Sequence, residues 1–282
     1  MKSDLKCIPC ILNFCLRTLD FCQIESIKKE KIFRKILNEI RNFSLEKSPA
    51  SISSLATGII QRETGIIDPY KEEKRKQNER ALQYYPLFKK LVRESEFQLK
   101  AAFKLSAIGN TIDLGASHGN YDMEGTLHNF HNIMFAKEDF DGFHSKLKDA
   151  KTLLFIADNC GEIIFDRVLL EELTGIRKIV SVKSGPFIND VTVGEIKETG
   201  IDKIAEVIET GTSSPDLNED ETGEEFNNLF RDADIIISKG HANFEALHGT
   251  RADIYFLLKA KCDVVASLLG VKKGDFVFSR FA

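Results

Sequence analysis

The stretch Lys151-Thr152-Leu153-Leu154-Phe155-Ile156-Ala157-Asp158-Asn159-Cys160-Gly161-Glu162 decides the fold. Its first half is a short apolar run of the kind that suits a strand buried on both faces. Its second half turns abruptly polar. The same texture recurs downstream at Lys178–Val182, Ala205–Ile208, Asp234–Ser238 and Ile254–Leu258. A helix-length segment lies between most of these runs. Strand alternating with helix predicts a parallel sheet with right-handed crossovers. The polar, acidic stretch Thr210–Gly223 reads as a loop.

Upstream of Lys151 the periodicity is helical. Leu5, Ile8, Ile11, Leu12, Cys15, Leu16, Leu19 and Cys22 mark one stripe, and Ile27, Ile32, Phe33, Ile36, Leu37 and Ile40 a second. A third helix is expected over Ser51–Thr64 with Gly65 as its stop. Asp68-Pro69-Tyr70 opens a long helix, with Asp68 suited to the cap and Pro69 to the first turn; Pro86 is expected to break or restart it. A further helix runs to about Ser106. Gly115–Gly125 reads as a loop joining the helical part to the sheet part. The expected division is a helical region over 1–105, a linking and site-proximal segment over 106–150, and an α/β core over 151–282, with no internal repeat.

Composition narrows the function. The 282 residues are 43% hydrophobic and 29% charged, enough to build a real core. The net charge of −4 comes without an acidic or basic block, so nothing in it favours nucleic acid or a membrane surface. An acidic balance still permits a phosphate ester as ligand, because a bound cation reverses the local sign. No apolar run reaches the roughly 18 residues of a spanning helix. The start of the chain lacks the apolar centre and cleavage site of a signal peptide, so a cytoplasmic protein is expected. In that compartment Cys7, Cys10, Cys15, Cys22, Cys160 and Cys262 are not a disulfide framework. Cys7-Ile8-Pro9-Cys10 is a single CxxC without a second pair, and it shares a helical stripe with Cys15 and Cys22. Packed sulfur is the simpler reading; metal or redox use stands beside it. The histidines, including His118, His128 and His131, show no ligand spacing.

In an open parallel sheet, ligands gather beyond the carboxyl ends of the strands. Four polar motifs fall there: Ala157-Asp158-Asn159-Cys160-Gly161-Glu162, Lys183 through Asn189-Asp190, Ser238-Lys239-Gly240-His241-Ala242-Asn243-Phe244-Glu245, and Lys259-Ala260-Lys261-Cys262. Asp158, Asn159 and Asp190 offer oxygen ligands to a hard divalent cation, Mn²⁺ or Mg²⁺ first, with Co²⁺ or Ni²⁺ as further possibilities. Lys183, Lys239 and Lys261 can meet phosphate oxygens as point charges. Gly161 and Gly240 allow close backbone approach, and Glu162, Asn189 and Asn243 belong to the same motifs. Outside the sheet part, Asn110 and Asp113 are three apart near a helix end, where spacing alone favours a plain terminus.

These motifs resemble the damage-control phosphatases, a metal-dependent family long catalogued as a domain of unknown function. The matching pieces are the early Cys-Ile-Pro-Cys, Asp68-Pro69-Tyr70 with Lys74 and Asn78, Gly109-Asn110 with Asp113, Asp158-Asn159 with Gly161-Glu162, Asn189-Asp190-Val191-Thr192, Lys239-Gly240 with Asn243, and Lys261-Cys262-Asp263. The early CxxC looks like the prokaryotic branch. The resemblance implies a three-layer α/β/α sandwich with a mainly parallel sheet behind a helical N-terminal region. It implies that Asp158, Asn159 and Asp190 bind the metal, and that Asn110, Asp113, Asn243 and Lys261 face the substrate. It implies hydrolysis of sugar phosphates or damaged phosphometabolites by metal-activated water. The eukaryotic branch carries Arg-Thr-x-Lys where this chain has Leu258-Lys259-Ala260-Lys261, keeping only the last lysine.

Other readings fit less well. A phospho-aspartate phosphatase of the haloacid-dehalogenase type places a second Asp two residues after the first, where this chain has Cys160. A methyltransferase or dinucleotide enzyme needs a glycine-rich turn after the first strand, and Asp158–Ile163 holds one glycine. A non-catalytic protein that binds a metal or a phosphometabolite remains the main alternative to an enzyme.

Overall fold

The computed structural model of the chain describes residues 1–111, 123–128, 130–250 and 253–281. Five helices come first: α1 (Cys7–Phe21), α2 (Ser26–Arg41), α3 (Pro49–Thr64), α4 (Lys71–Arg93) and α5 (Gln98–Gly109). Then follow α6 (Met123–His128), β1 (Phe135–Glu138), α7 (Phe140–Leu147), β2 (Thr152–Ile156), α8 (Glu162–Glu172), β3 (Arg177–Val182), α9 (Val193–Thr199) and β4 (Glu206–Glu209). The chain continues with α10 (Glu224–Asp232), β5 (Ile235–Lys239), α11 (His241–Leu247), β6 (Ile254–Lys259), α12 (Asp263–Leu269) and β7 (Phe276–Phe281).

The strands form one seven-stranded sheet in the order β1-β7-β6-β5-β2-β3-β4. Every pairing is parallel except β6 with β7. The sheet is therefore mainly parallel with helices on both faces, the architecture the sequence predicts. Alternation along β2 explains why both faces are covered. Leu153 and Phe155 enter one apolar core with α4, α5 and α8; Leu154 and Ile156 enter a second with α10, α11 and α12.

The helical part is divided. Helices α1, α2 and α3 close over their own core of Ile11, Phe14, Cys15, Leu19, Ile32, Ile36, Ile52 and Ile60. Helices α4 and α5 instead contribute Phe88, Val92, Phe103 and Leu105 to the core against the sheet. Helix α3 starts on Ser48, whose side chain accepts from Ser51 N–H, and stops at Gly65 in the left-handed region.

Three expectations need correction. Pro86 does not interrupt α4, which runs unbroken from Lys71 to Arg93. Ala81 before it and Phe88 and Val92 after it are all buried on the sheet, and that shared burial outweighs one missing backbone bond. Strands β1 and β7 were not anticipated; they extend the sheet beyond β6. Finally, α6 occupies part of the segment read as a loop over Gly115–Gly125.

Candidate active site

β2 is the strand at which the sheet order reverses. The crossover through α8 leads from β2 to β3 on one side, whereas β5 lies on the other and leads through α11 to β6. The loops after β2 and β5 thus diverge and leave a crevice at the carboxyl edge, the usual ligand position in such sheets. Asp158 and Asn159 follow β2 directly, and the β3–α9 loop folds back on them. Cys160 N–H donates to Asn189 O at 2.8 Å and Val191 N–H to Asp158 O at 2.9 Å. Asn159 and Asp190 form an isolated antiparallel bridge. This backbone zipper brings Asp190 to Asp158 and Asn159, more than thirty residues earlier in the chain.

They sit at the floor of a cavity of about 490 Å³. His241, Glu245, Lys261 and Cys262 supply one wall, and Cys10, Ile11, Phe14 and Arg17 of α1 the other. Of the residues expected on the substrate side, Asn189 and Lys261 line this cavity.

The others among the described residues lie beneath it. Lys239 is fully buried, and its Nζ is surrounded by Glu162 Oε1 at 3.1 Å, Asp166 Oδ1 at 2.8 Å, Ser106 O at 2.7 Å and Ser106 Oγ at 2.6 Å. Its charge is met there by Glu162 and Asp166. Burial pushes the Asp166 carboxyl above the usual carboxylate range, against the pull of the Lys239 charge. Asn110, at the end of α5, donates through Nδ2 to both Glu162 oxygens at 3.1 Å and to Asp158 Oδ2 at 3.3 Å, while its Oδ1 accepts from Lys259 N–H at 3.1 Å. Asn243 Nδ2 donates to Ala157 O at 3.0 Å and Lys239 O at 2.8 Å. Asn110, Glu162, Lys239 and Asn243 are thus struts that hold the carboxylate above them. Asp113 lies outside the described residues.

Lys183 is also buried. Its Nζ donates to Ser214 O at 3.2 Å. Burial lowers its ammonium, while the charges of Asp190, Asp158 and Asp216 pull it back up. It balances the acidic floor from the β3 side. Gly240 packs its bare Cα against Asp158 with a φ of 80°. Gly161 takes a φ of 76° where its N–H donates to Asn78 Oδ1 at 2.6 Å.

The donor set fits a hard divalent cation. Asn159 Nδ2 is committed to Asp158 Oδ2 at 2.7 Å and Glu162 Oε2 at 3.2 Å, so Oδ1 is the atom turned away from those carboxylates. Two carboxylates and an amide oxygen at a cavity floor are oxygen donors that leave room for water and substrate. Among the described residues, no group of three or more His, Cys, Asp or Glu is arranged to hold a metal, so no competing cluster of that kind is present.

Sequence reasoning assigned no role to several neighbours. Lys74 of α4 is buried between Asp68 at 2.8 Å and Glu195 at 2.7 Å, tying α4 to the cap of α9 behind the Asp190 loop. Gln77 Oε1 accepts from Asn189 Nδ2 at 3.2 Å. The charged residues of α4 gave the signal, but nothing local distinguished buried from exposed ones. His241 and Glu245, four apart on α11 and both within the polar motif that follows β5, line the cavity.

Fold and cavity together define an α/β protein with a cavity at its topological switch point. The chain belongs to the family of the damage-control phosphatase ARMT1-like domain, whose model matches residues 3–277. It is 32% identical to a damage-control phosphatase of Pyrococcus horikoshii over 285 residues, covering 99% of this chain and 98% of that one. A damage-control phosphatase of Archaeoglobus fulgidus is 33% identical over 249 residues, covering 86% of this chain and 85% of that one. The crystal structure of a DUF89 family protein from Pyrococcus horikoshii superposes with a TM-score of 0.90 at 32% identity, covering 99% of both chains. No helix among the described residues is long and apolar enough to cross a membrane.

Proposed function

We propose that the chain is a metal-dependent phosphatase that hydrolyses phosphate monoesters of small metabolites, sugar phosphates or damaged phosphometabolites, with water as the acceptor. The observation that carries this reading is the zippered pair of loops that puts Asp158, Asn159 and Asp190 at the floor of a cavity with Lys261 in its wall. Asp158, Asn159 and Asp190 would hold the cation, Mn²⁺ or Mg²⁺ in first place. Bound there, a divalent cation supplies neutralisation of phosphoryl oxygens and acidification of a water. Lys261 meets the remaining phosphate oxygens as charge redistributes toward the leaving group. Asn110 and Glu162 hold Asp158 and Asn159 in register, and the α1 wall shields the ester from bulk solvent.

Sugar-phosphate hydrolysis and metal content of purified, folded variants test the reading. Asp158→Ala is expected to lower kcat by roughly 10²-fold or more and to weaken metal retention. Asp190→Asn keeps shape but drops charge, so excess metal restores part of its activity. Lys261→Ala keeps the metal and loses turnover. Hydrolysis by Asp158→Ala at the parent rate, or a parent rate indifferent to chelation, overturns the proposal.

A further inference from the structure

One wall of the cavity carries a second array of reactive groups that phosphate hydrolysis does not use. Cys262 Sγ lies 3.9 Å from His241 Nε2, and His241 Nδ1 lies 3.4 Å from Glu245 Oε1. Val265 N–H donates to the same sulfur at 3.4 Å. The order is thiol, imidazole, carboxylate: the carboxylate orients the ring and the ring faces the sulfur, which is how a nucleophilic thiol is activated. All three side chains line the open cavity.

The electrostatics agree with the geometry. Burial pushes His241 down, but its bonds to Cys262 and Glu245 raise it to about 9. Burial pushes the Cys262 thiol up, yet the hydrogen bond and charge of His241, with the Val265 N–H, outweigh it and hold the thiol below its ordinary range. The contrast within the chain is marked. Burial raises Cys7, Cys15 to about 12, Cys22, and Cys160 well above the usual value. Cys15, Cys22 and Cys160 are enclosed in the apolar interior. Cys7, the first cysteine of the early CxxC, thus moves in the opposite direction from Cys262.

We infer that Cys262 is a thiol-modification site, a thiolate–imidazolium pair that exchanges with small neutral disulfides admitted by the cavity. The Cys262 thiolate attacks one sulfur of the disulfide. A new S–S bond forms to Cys262 as the original S–S bond breaks. The departing thiolate leaves with the electron pair of the broken bond and takes a proton from solvent. The product is a mixed disulfide in the cavity wall beside Lys261, and a reducing thiol returns Cys262 by the same step in reverse. This chemistry stands independently of the phosphatase reading, because it needs neither metal nor phosphate ester.

The test is exposure of the intact chain to bis(2-hydroxyethyl) disulfide, with the modified cysteine identified by peptide mass mapping over time. Cys262 is expected to be labelled roughly tenfold faster than Cys7 or Cys10 near neutral pH, a gain reduced by the lower nucleophilicity of a more acidic thiol. His241→Ala and Glu245→Gln are expected to slow labelling at Cys262 and shift its pH profile to the alkaline side. The groups shaping that profile are Glu245, Lys261, Asp263 and Lys273 around the pair, with Cys7 and the Met1 amino group facing Glu245 from the α1 side. Urea midpoints like that of the parent in both variants show that the fold is intact. Labelling of Cys7 or Cys10 ahead of Cys262, or a Cys262 rate indifferent to both substitutions, overturns the inference. So does zinc retained in stoichiometric amount that protects Cys262 until chelated.

Discussion

Gly240 shows how finely the site depends on single residues. A Cβ at this position would lie 1.6 Å from Asp158 Oδ2 and 2.9 Å from Asp158 Cβ. Its φ of 80° is also one that L side chains avoid. Gly240→Ala must therefore either displace the Asp158 carboxylate or move the start of α11. It is expected to lower phosphatase activity about 100-fold and to destabilise the fold by about 1–3 kcal/mol, read from kcat and a urea titration. Parent-like kcat would show that Asp158 need not stay where Gly240 lets it sit. The same scale shows what the sequence conceals. The convergence of Asp158, Asn159 and Asp190 was legible because one strand–helix–strand unit puts the loops after β2 and β3 at the same carboxyl edge of the sheet. The burial of Lys239 had a clue that its strand-end position obscured. Lys239 shares the alternation of Ile235 and Ile237, which face the α5 and α8 core, so its side chain points toward Ser106 and Asp166 and away from the cavity. Position at a strand end drew attention; parity along the strand decided the outcome.

At the scale of elements, α4 is the brace that joins the helical region to the site. Its Lys74 pairs with Glu195, whose carboxylate also accepts from Thr192 N–H at 2.9 Å to complete the α9 capping box. Burial pushes Glu195 up, but the bonds from Lys74 and Thr192 outweigh it and hold the carboxyl below its usual 4.5. Its contribution is thus fully present above pH 4.5 and is lost as the pH falls through the depressed value. Lys74 is shifted the other way, above 10.5, so its share is present below that value and fades only as the pH rises through the raised one. Glu195→Gln keeps the cap acceptor and leaves Lys74 with Asp68 alone. It is expected to cost about 2 kcal/mol at neutral pH and to flatten the acid-side decline, read from urea midpoints across a pH series. Equal slopes in parent and variant would place the acid sensitivity elsewhere. The strands missed from sequence have a comparable cause. β1 is four residues long and mostly exposed, with no apolar run to announce it. β7 places polar Ser279 and Arg280 in the sheet, and their partner is distant: Asp139 Oδ2 accepts from Ser279 Oγ at 2.8 Å and from Arg280 N–H at 2.7 Å. A tertiary bond of that kind leaves no local trace.

Across the whole molecule, the cavity lies between two separately packed bodies. The floor belongs to the sheet, and one wall belongs to the small core of α1, α2 and α3. Phe14 spans the junction: it enters that small core and its ring centroid lies 6.1 Å from that of Phe187 in the β3–α9 loop. If this wall recognises the organic part of the ester, Phe14→Ala should raise KM about tenfold with kcat nearly kept, since the removed contact is present in ground and transition states alike. Steady-state kinetics on a panel of sugar phosphates reads this directly; a fall in kcat with KM unchanged would assign the wall to chemistry. The overall fold was readable because periodicity switches at Lys151, whereas the allotment of helices to cores was not, because a helical stripe states that a face is buried and not against what.

That separate core gives α1, α2 and α3 an independence that matters over generations. Substitutions in them can drift, insert or reshape the guest chamber while the carboxylate floor, braced by Asn110, Glu162 and Lys239 from beneath, is inherited intact. Descendants of such a chain would diversify in diet long before they diversified in chemistry.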